Sequence, residues 1–324
     1  MESKLQKLLE ETSSVRYTRL HFELEILEDS ILPYHKASAL RGGMGEMLLR
    51  ASCIRNRKCE ECDFAEECLV QRIMYSKYDI KPSFVTSGES IGYIINCEDH
   101  RLEFSTGDRL EFQMTLFGKT IAYLTPILQA FYSLGQYGIG KERCHFRILS
   151  VTNSLREPLV DGANVFLENY RILNLKEYID YRMGRMQEDT SNVRLLFHTP
   201  LSMKFQGEEL TDFNSLAIVR GATRRLYMLE CFEGIETEMP GIMEEDVPSI
   251  AGQKIRHSDV RRYSSRHKSG IHLNGVSGYV DLEGVSKELL ELLIIGEIVQ
   301  IGKNTSFGFG RYTVLDSQTE NNRS

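Results

Sequence analysis

Leu20, Phe22, Leu24 and Ile26 alternate with Arg19, His21, Glu23 and Glu25, the period of a strand with one buried face. A loop from Asp29 to Lys36 follows, broken by Pro33. Then Leu40, Met44, Met47, Leu48 and Ala51 recur at helical spacing. Gly42, Gly43 and Gly45 lie inside that helix at a cost in propensity, which predicts a close neighbour there. Gly92 to Cys97 and Arg109 to Phe117 predict two strands, the second alternating Leu110, Phe112, Met114 and Leu116. A helix is predicted over Thr120–Leu134, with Pro126 near its start or kinking it. A glycine-rich turn, Gly135 to Arg143, leads to a strand through Cys144, Phe146 and Ile148.

The second half repeats this ending. Residues 152–191 are mixed in pattern. Val193, Leu195 and Phe197 start a new strand, and Leu216, Val219, Leu226 and Leu229 predict a helix with Arg220, Arg224 and Arg225 as candidates for its polar face. Val276, Gly278, Val280 and Leu282 predict a strand, and Ser286–Gly296 a helix apolar nearly all round, hence buried. A second glycine-rich turn, Gly302 to Arg311, opens the last strand. Each turn carries three glycines, a lysine and an arginine, an internal repeat of one supersecondary unit. The order strand, helix, strand, strand, helix, strand is the ferredoxin-like βαββαβ pattern. The expected fold is therefore α+β, with two tandem ferredoxin-like domains. They span residues 1–151, with a cysteine-rich insertion at 53–68, and residues 192–315, joined by a linker or extension at 152–191. Residues 316–324 are expected to be a disordered tail.

A chain of 324 residues, 41% hydrophobic, has the length and apolar content for two domains. It lacks an apolar run long enough to span a membrane, and its first residues are too charged for a signal peptide. A cytoplasmic location and reduced cysteines are expected. The net charge of −7 argues mildly against nucleic acid, yet charge is unevenly spread. Acids at Glu230, Glu233, Glu236, Glu238, Glu244, Glu245 and Asp246 give way to Lys254, Arg256, Arg261, Arg262, Arg266 and Lys268, opposed only by Asp259. A net-acidic protein can still present one basic face.

Gly302, Gly308 and Gly310 allow close backbone approach, and successive N–H groups in such a turn can form an anion-binding concavity, with Lys303 and Arg311 adding full charge. It is not a P-loop, because Glu297 stands where the first glycine is required and Asn304 follows Lys303. Nor is it a dinucleotide fingerprint, since Gly308 and Gly310 lead into a strand at Tyr312 rather than a helix. Cys53, Cys59, Cys62 and Cys68 follow Cys-x5-Cys-x2-Cys-x5-Cys. The central pair has ligand spacing, which points to a metal, zinc ahead of an iron–sulfur cluster. Four thiolates leave no open position, so the role is structural. Cys97, Cys144 and Cys231 are expected to be core thiols.

Ser38-Ala39-Leu40-Arg41-Gly42-Gly43-Met44-Gly45, Arg262-Tyr263-Ser264-Ser265-Arg266, Leu273-Asn274-Gly275-Val276-Ser277-Gly278 and the Gly302–Arg311 turn together resemble a known family. It is that of the CRISPR-associated endoribonucleases that process precursor CRISPR RNA, within the repeat-associated mysterious protein (RAMP) superfamily. The resemblance covers nearly the whole chain. It implies two ferredoxin-like domains, binding of CRISPR repeat RNA and metal-independent cleavage. In that chemistry the 2′-hydroxyl attacks the adjacent phosphate, leaving 2′,3′-cyclic phosphate and 5′-hydroxyl ends. It needs a general base and a general acid, for which histidine is suited, and a cation on the phosphate. The family's active histidine often lies around the first helix. There His35, flanked by Tyr34 and Lys36, is the catalytic candidate, with His198, His257, His267 and His272 as alternatives and His21 read as merely solvated. Arg261, Arg262, Arg266, Lys268, Gly302, Lys303, Gly308, Gly310 and Arg311 are the RNA-binding candidates. Expected partners are CRISPR repeat RNA or the mature guide RNA, an effector complex and a second copy of the chain. A non-catalytic RAMP subunit holding guide RNA, or a zinc-stabilised interaction module, are the other readings.

Overall fold

A computed structural model describes residues 4–78, 80–85, 90–186, 190–264 and 269–316, with backbone alone at 60, 260–264 and 269–272. The chain divides into two compact units, residues 16–173 and residues 4–15 with 174–316.

The first unit strings together β1 (Arg16–Ile26), α1 (Lys36–Ser52), β2 (Tyr93–Asn96), β3 (Arg109–Phe117), α2 (Leu124–Tyr137) and β4 (Phe146–Thr152). The sheet order is β2-β3-β1-β4, antiparallel throughout, as the ferredoxin-like pattern requires. Alternation along β1 places Leu20, Phe22, Leu24 and Ile26 in the core. Phe22 lies opposite Phe112 in register, their rings stacked at 4.5 Å, and Phe131 of α2 closes on Phe22 at 5.1 Å. Leu40, Met44, Met47 and Leu48 of α1 enter the same core, while Ala51 is exposed. Close neighbours explain two of the three helix glycines. A Cβ on Gly43 would sit 2.5 Å from Leu134, and one on Gly45 2.7 Å from Met74, whereas Gly42 faces open space. Pro126 stands in the first turn of α2, where a missing N–H costs nothing.

The second unit repeats the topology with β5 (Asn192–Leu201), α3 (Ser215–Glu233), β6 (Ser249–Ser264), β7 (Ser269–Glu283), α4 (Lys287–Val299) and β8 (Tyr312–Asp316). Its sheet order is β6-β7-β5-β8, again antiparallel. Asn214 caps α3 by accepting from the Ala217 N–H at 2.9 Å, and Gly234 ends it in the left-handed region. The largely apolar α4 is mostly buried under β8, the N-terminal helix Lys4–Glu10 and the helix Leu175–Met183. Glu297 on α4 accepts from Tyr178 Oη at 2.7 Å, from Arg182 at 2.8 and 2.9 Å, and from the Val314 N–H at 2.6 Å.

Two expectations change here. Residues 152–173 are not a linker, because Pro158–Asp161 pairs with β4 and extends the first sheet. The helix Leu175–Met183 and the N-terminal helix belong to the second unit, because their apolar sides cover α4. The basic segment after Gln253, to which the sequence pattern assigns no element, is part of β6, paired with β7 from Ser249↔Glu283 to Ser264↔Ser269. Since β5 follows β7 only as far as Leu201↔Val276, the hairpin continues beyond the sheet as a two-stranded ribbon. Asp316 closes β8, and residues 317–324, read as a tail, lie outside the described residues. No described helix is long and apolar enough to cross a membrane.

Candidate active site and nucleic-acid interface

His35 is the residue before α1, at φ −97 and ψ 82, and its side chain makes no capping bond. Its imidazole is left for other contacts. The half-exposed Tyr34 ring stacks on His100 at 4.4 Å and 8°. His35 meets Tyr34 edge-on at 4.8 Å and His100 at 5.9 Å. Tyr34 O and His100 Nδ1 are 3.2 Å apart. Burial holds the His35 imidazole below its usual pKa of 6.5, with the charges of His100 and Lys36 acting the same way. It is therefore neutral near pH 7, the form that accepts a proton.

Lys36 is a correction. Its side chain is 0% exposed, and its ammonium donates to Asp99 O at 2.9 Å and Arg101 O at 2.5 Å, with Asp99 Oδ1 at 3.8 Å. Burial lowers its pKa, opposed by Asp99. Its ammonium is taken up by these groups and clamps the segment that carries His100. Arg101 forks onto Asp99 Oδ2 at 3.0 and 2.6 Å and lies over the Phe104 ring at 4.5 Å. His100, unnoticed in the sequence, joins His35 across 65 positions; the one available signal was the charged quartet Glu98-Asp99-His100-Arg101.

The first glycine-rich turn backs this loop. Glu142 Oε2 accepts from the Ile31 N–H at 3.2 Å, and a Cβ on Gly140 would touch Leu32 and Pro33 at 3.7 and 3.8 Å. The second turn is packed differently. Its N–H groups at Lys303, Phe307, Gly308, Phe309 and Gly310 donate to the carbonyls of Ser202, Asn304, Thr305, Asn304 and Pro200. Thr199 Oγ1 donates to Gly308 O at 2.7 Å and accepts from the Arg311 N–H at 2.9 Å. Those amides are engaged within the fold, so the expected anion concavity is not formed by them. Lys303 does line a small polar cleft with Lys204, Glu209 and Asn274, and Phe307 and Phe309 pack on Leu273 at the base of the ribbon.

The ribbon carries Arg261 opposite His272 and Arg262 opposite Ile271; the side chains of these residues, and Arg266, His267 and Lys268 altogether, lie outside the described residues. His257 sits on β6 opposite Val276. His198 Nε2 is 2.8 Å from Thr313 Oγ1. His21 is not simply solvated: it is half-buried, and burial, then Arg156 and Arg19, pull its pKa down to about 4.

Cys53, Cys59, Cys62 and Cys68 line one cleft and are free thiols. The expected tetrahedral centre is not assembled, since no three metal-ligating side chains converge among the described residues. Cys144 and Cys231 are buried as expected. Cys97 is only partly so, its pKa pushed up to about 11 by burial.

Residues 195–312 match the family described as CRISPR-associated endoribonuclease Cas6. That match lies within the second unit. Residues 15–174 match a separate family, AF_1859_N, described as an N-terminal domain. An uncharacterized protein of Archaeoglobus fulgidus is 24% identical over 305 residues, 93% of this chain and 98% of its own length. Among solved structures, the Cas6 (TTHA0078) product complex has a TM-score of 0.53 at 16% identity over 93% of this chain and 99% of that one. The Cas6 (TTHB231) product complex, a Thermus thermophilus protein, has a TM-score of 0.52 at 14% identity over 92% and 99%. A partial Cas6–RT–Cas1–Cas2 complex has a TM-score of 0.53 at 12% identity over 94% of this chain, which spans only 47% of that longer chain. At these identities the structural likeness bears on fold, and it agrees with the paired ferredoxin-like topology of this chain.

Proposed function

We propose that the chain matures guide RNA by cutting CRISPR repeat RNA through 2′-hydroxyl attack, leaving 2′,3′-cyclic phosphate and 5′-hydroxyl ends. The observation that carries this reading is the Tyr34–His35–His100 cluster, with His35 held neutral by burial. His35 takes the 2′-hydroxyl proton, and His100, stacked on Tyr34, supplies the second imidazole that protonation of the leaving 5′-oxygen calls for. Lys36 holds the His100 segment in place rather than meeting the phosphate. The ribbon of β6 and β7, with Lys303 near its base, receives the RNA backbone, whose affinity rests on charge and falls with salt.

The test is single-turnover cleavage of a repeat RNA in EDTA. His35→Ala should lose about 10²–10⁴-fold in rate with little loss of RNA binding, and His100→Ala should also fall. A 2′-deoxy nucleotide at the cut site should abolish cleavage and spare binding. Because burial depresses the His35 pKa, the ascending limb of the pH–rate profile should lie below pH 6.5. A His35→Ala chain that cuts normally rejects the assignment. A wild-type chain that binds the repeat and never cuts it favours the non-catalytic RAMP subunit.

A further inference from the structure

The segment from Cys53 to Cys68 folds without a core. None of its described side chains is buried, and its one regular element is a single 3-10 turn, Cys59–Glu61. Its ion pairs among the described residues are Arg55 with Asp63 at 2.7 Å, Arg57 with Glu46 at 2.6 Å, Lys58 with Glu61 at 3.6 Å, and Glu66 with Lys77. All lie at the surface, where such pairs hold little. Asn56 and Arg57 turn the chain through the left-handed region at φ 49 and 67 with no glycine to ease it. Something else has to tie this segment down.

The four cysteines are placed to do so. Cys53 is fixed at the end of α1 by its N–H on Leu49 O at 2.9 Å, and Cys68 directly precedes the helix Leu69–Met74. Cys59 and Cys62 stand at either end of the 3-10 turn between them. All four line one cleft, walled by Leu49, Phe64 and Leu69. The Arg57 N–H already donates to Cys53 Sγ at 3.2 Å, the sort of contact that steadies a metal-bound thiolate. Arg55, Arg57 and Lys58 surround a centre whose four thiolates would exceed a divalent charge.

We propose that Cys53, Cys59, Cys62 and Cys68 close on one zinc ion, forming a structural tetrathiolate site that ties the insertion to the end of α1. Binding converts four thiols to thiolates and releases their four protons. The sulfurs come together from the walls of the cleft on loading, in the way that metal binding and local folding are coupled elsewhere. Four soft sulfur ligands in tetrahedral array select zinc over harder ions. The site does not depend on whether the chain cuts RNA.

The test uses the full chain, reduced and stripped of metal, titrated with cobalt(II) and then zinc. Tetrahedral cobalt–thiolate absorption should saturate at one ion per chain, disappear on adding zinc, and leave four fewer thiols open to a thiol reagent. Cys59→Ser and Cys62→Ser should lose the absorption, and Cys97→Ser, outside the cleft, should keep it. Should the serine variants fail to fold, the thiol count on the wild-type chain with and without zinc decides. A folded chain that shows no tetrahedral bands at equimolar cobalt, or whose thiols all react in excess zinc, overturns the proposal. So does protein that, as isolated, carries iron with broad visible absorption.

Discussion

The two glycine-rich turns share a composition and a place in the topology, each between the second helix and last strand of its unit, yet they do different things. The Gly135–Arg143 turn is open on one side and props the loop that carries Tyr34 and His35, through Glu142 and the surface beneath Gly140. The Gly302–Arg311 turn folds back on the end of β5, with its amides bonded to neighbouring carbonyls. A repeated motif thus fixes where the chain reverses, while the residues it meets decide whether it supports a site or closes a core.

The buried ionisable groups of the two units differ in the same way. Lys36 in the first unit has two carbonyls and a carboxylate around its ammonium. Glu230 in the second is 0% exposed, and among the described residues neither carboxyl oxygen has a hydrogen-bond partner. Burial, then the charge of Glu11, raises its pKa from 4.5 to about 9, so it stays protonated at neutral pH.

The turns can be told apart most sharply by adding one methyl group. In Gly310→Ala the new Cβ would fall 1.8 Å from Ile301 O at φ +70, and the chain should lose about 3–5 kcal/mol of stability, or fail to fold. Denaturant midpoints would measure it, and a near-normal midpoint would break the distinction between the turns. Lys36→Met should follow, costing about 2–3 kcal/mol as Asp99 O and Arg101 O lose their donor. If the variant is as stable as wild type, the clamp is wrong and a catalytic role for Lys36 reopens.

Glu230→Gln should act in the opposite direction. The folded pKa of Glu230 lies above its unfolded value, so the unfolded chain binds fewer protons between pH 4.5 and about 9. The contribution of Glu230 to stability is thus fully present below pH 4.5 and is lost as pH rises to about 9. The glutamine variant should gain several kcal/mol at pH 8, at most about 1.4 kcal/mol for each pH unit above the unfolded pKa, and nothing at pH 4. Parallel melting curves for the two proteins at both pH values would refute this. The smallest effect belongs to Gly140→Ala. Its Cβ meets only ordinary contacts at 3.7 and 3.8 Å, but φ is +80, so the cost should be about 1 kcal/mol. A loss matching that of Gly310→Ala would erase the contrast.

Both βαββαβ runs were legible because their strands are two-faced: the alternation of Leu20, Phe22, Leu24 and Ile26 is the burial pattern itself. The near neighbours of Gly43 and Gly45 were legible too, since glycine inside a helix calls for a reason. What stayed hidden depends on contacts distant in sequence. Nothing around Lys36 tells that its ammonium will find the carbonyls of Asp99 and Arg101, and a charged residue in a loop reads as solvated. His100 was missed for the same reason. The ribbon was missed because Lys254 to Ser264 carries little apolar alternation, its backbone being held by β7 rather than by burial. The bounds of the units escaped because a short amphipathic helix such as Lys4–Glu10 does not declare which core it covers.

That helix has a consequence for synthesis. The second unit is closed by residues 4–15 together with 174–316, so its first element leaves the ribosome long before the partners it covers. The intervening unit, residues 16–173, is contiguous and can fold as it emerges. At about 5–20 residues per second, the N-terminal helix therefore waits on the order of tens of seconds with Leu8 and Leu9, buried in the finished protein, still uncovered. For that interval the nascent chain carries one completed unit and one sticky end, and a chaperone that shields the first ten residues would act before any RNA could.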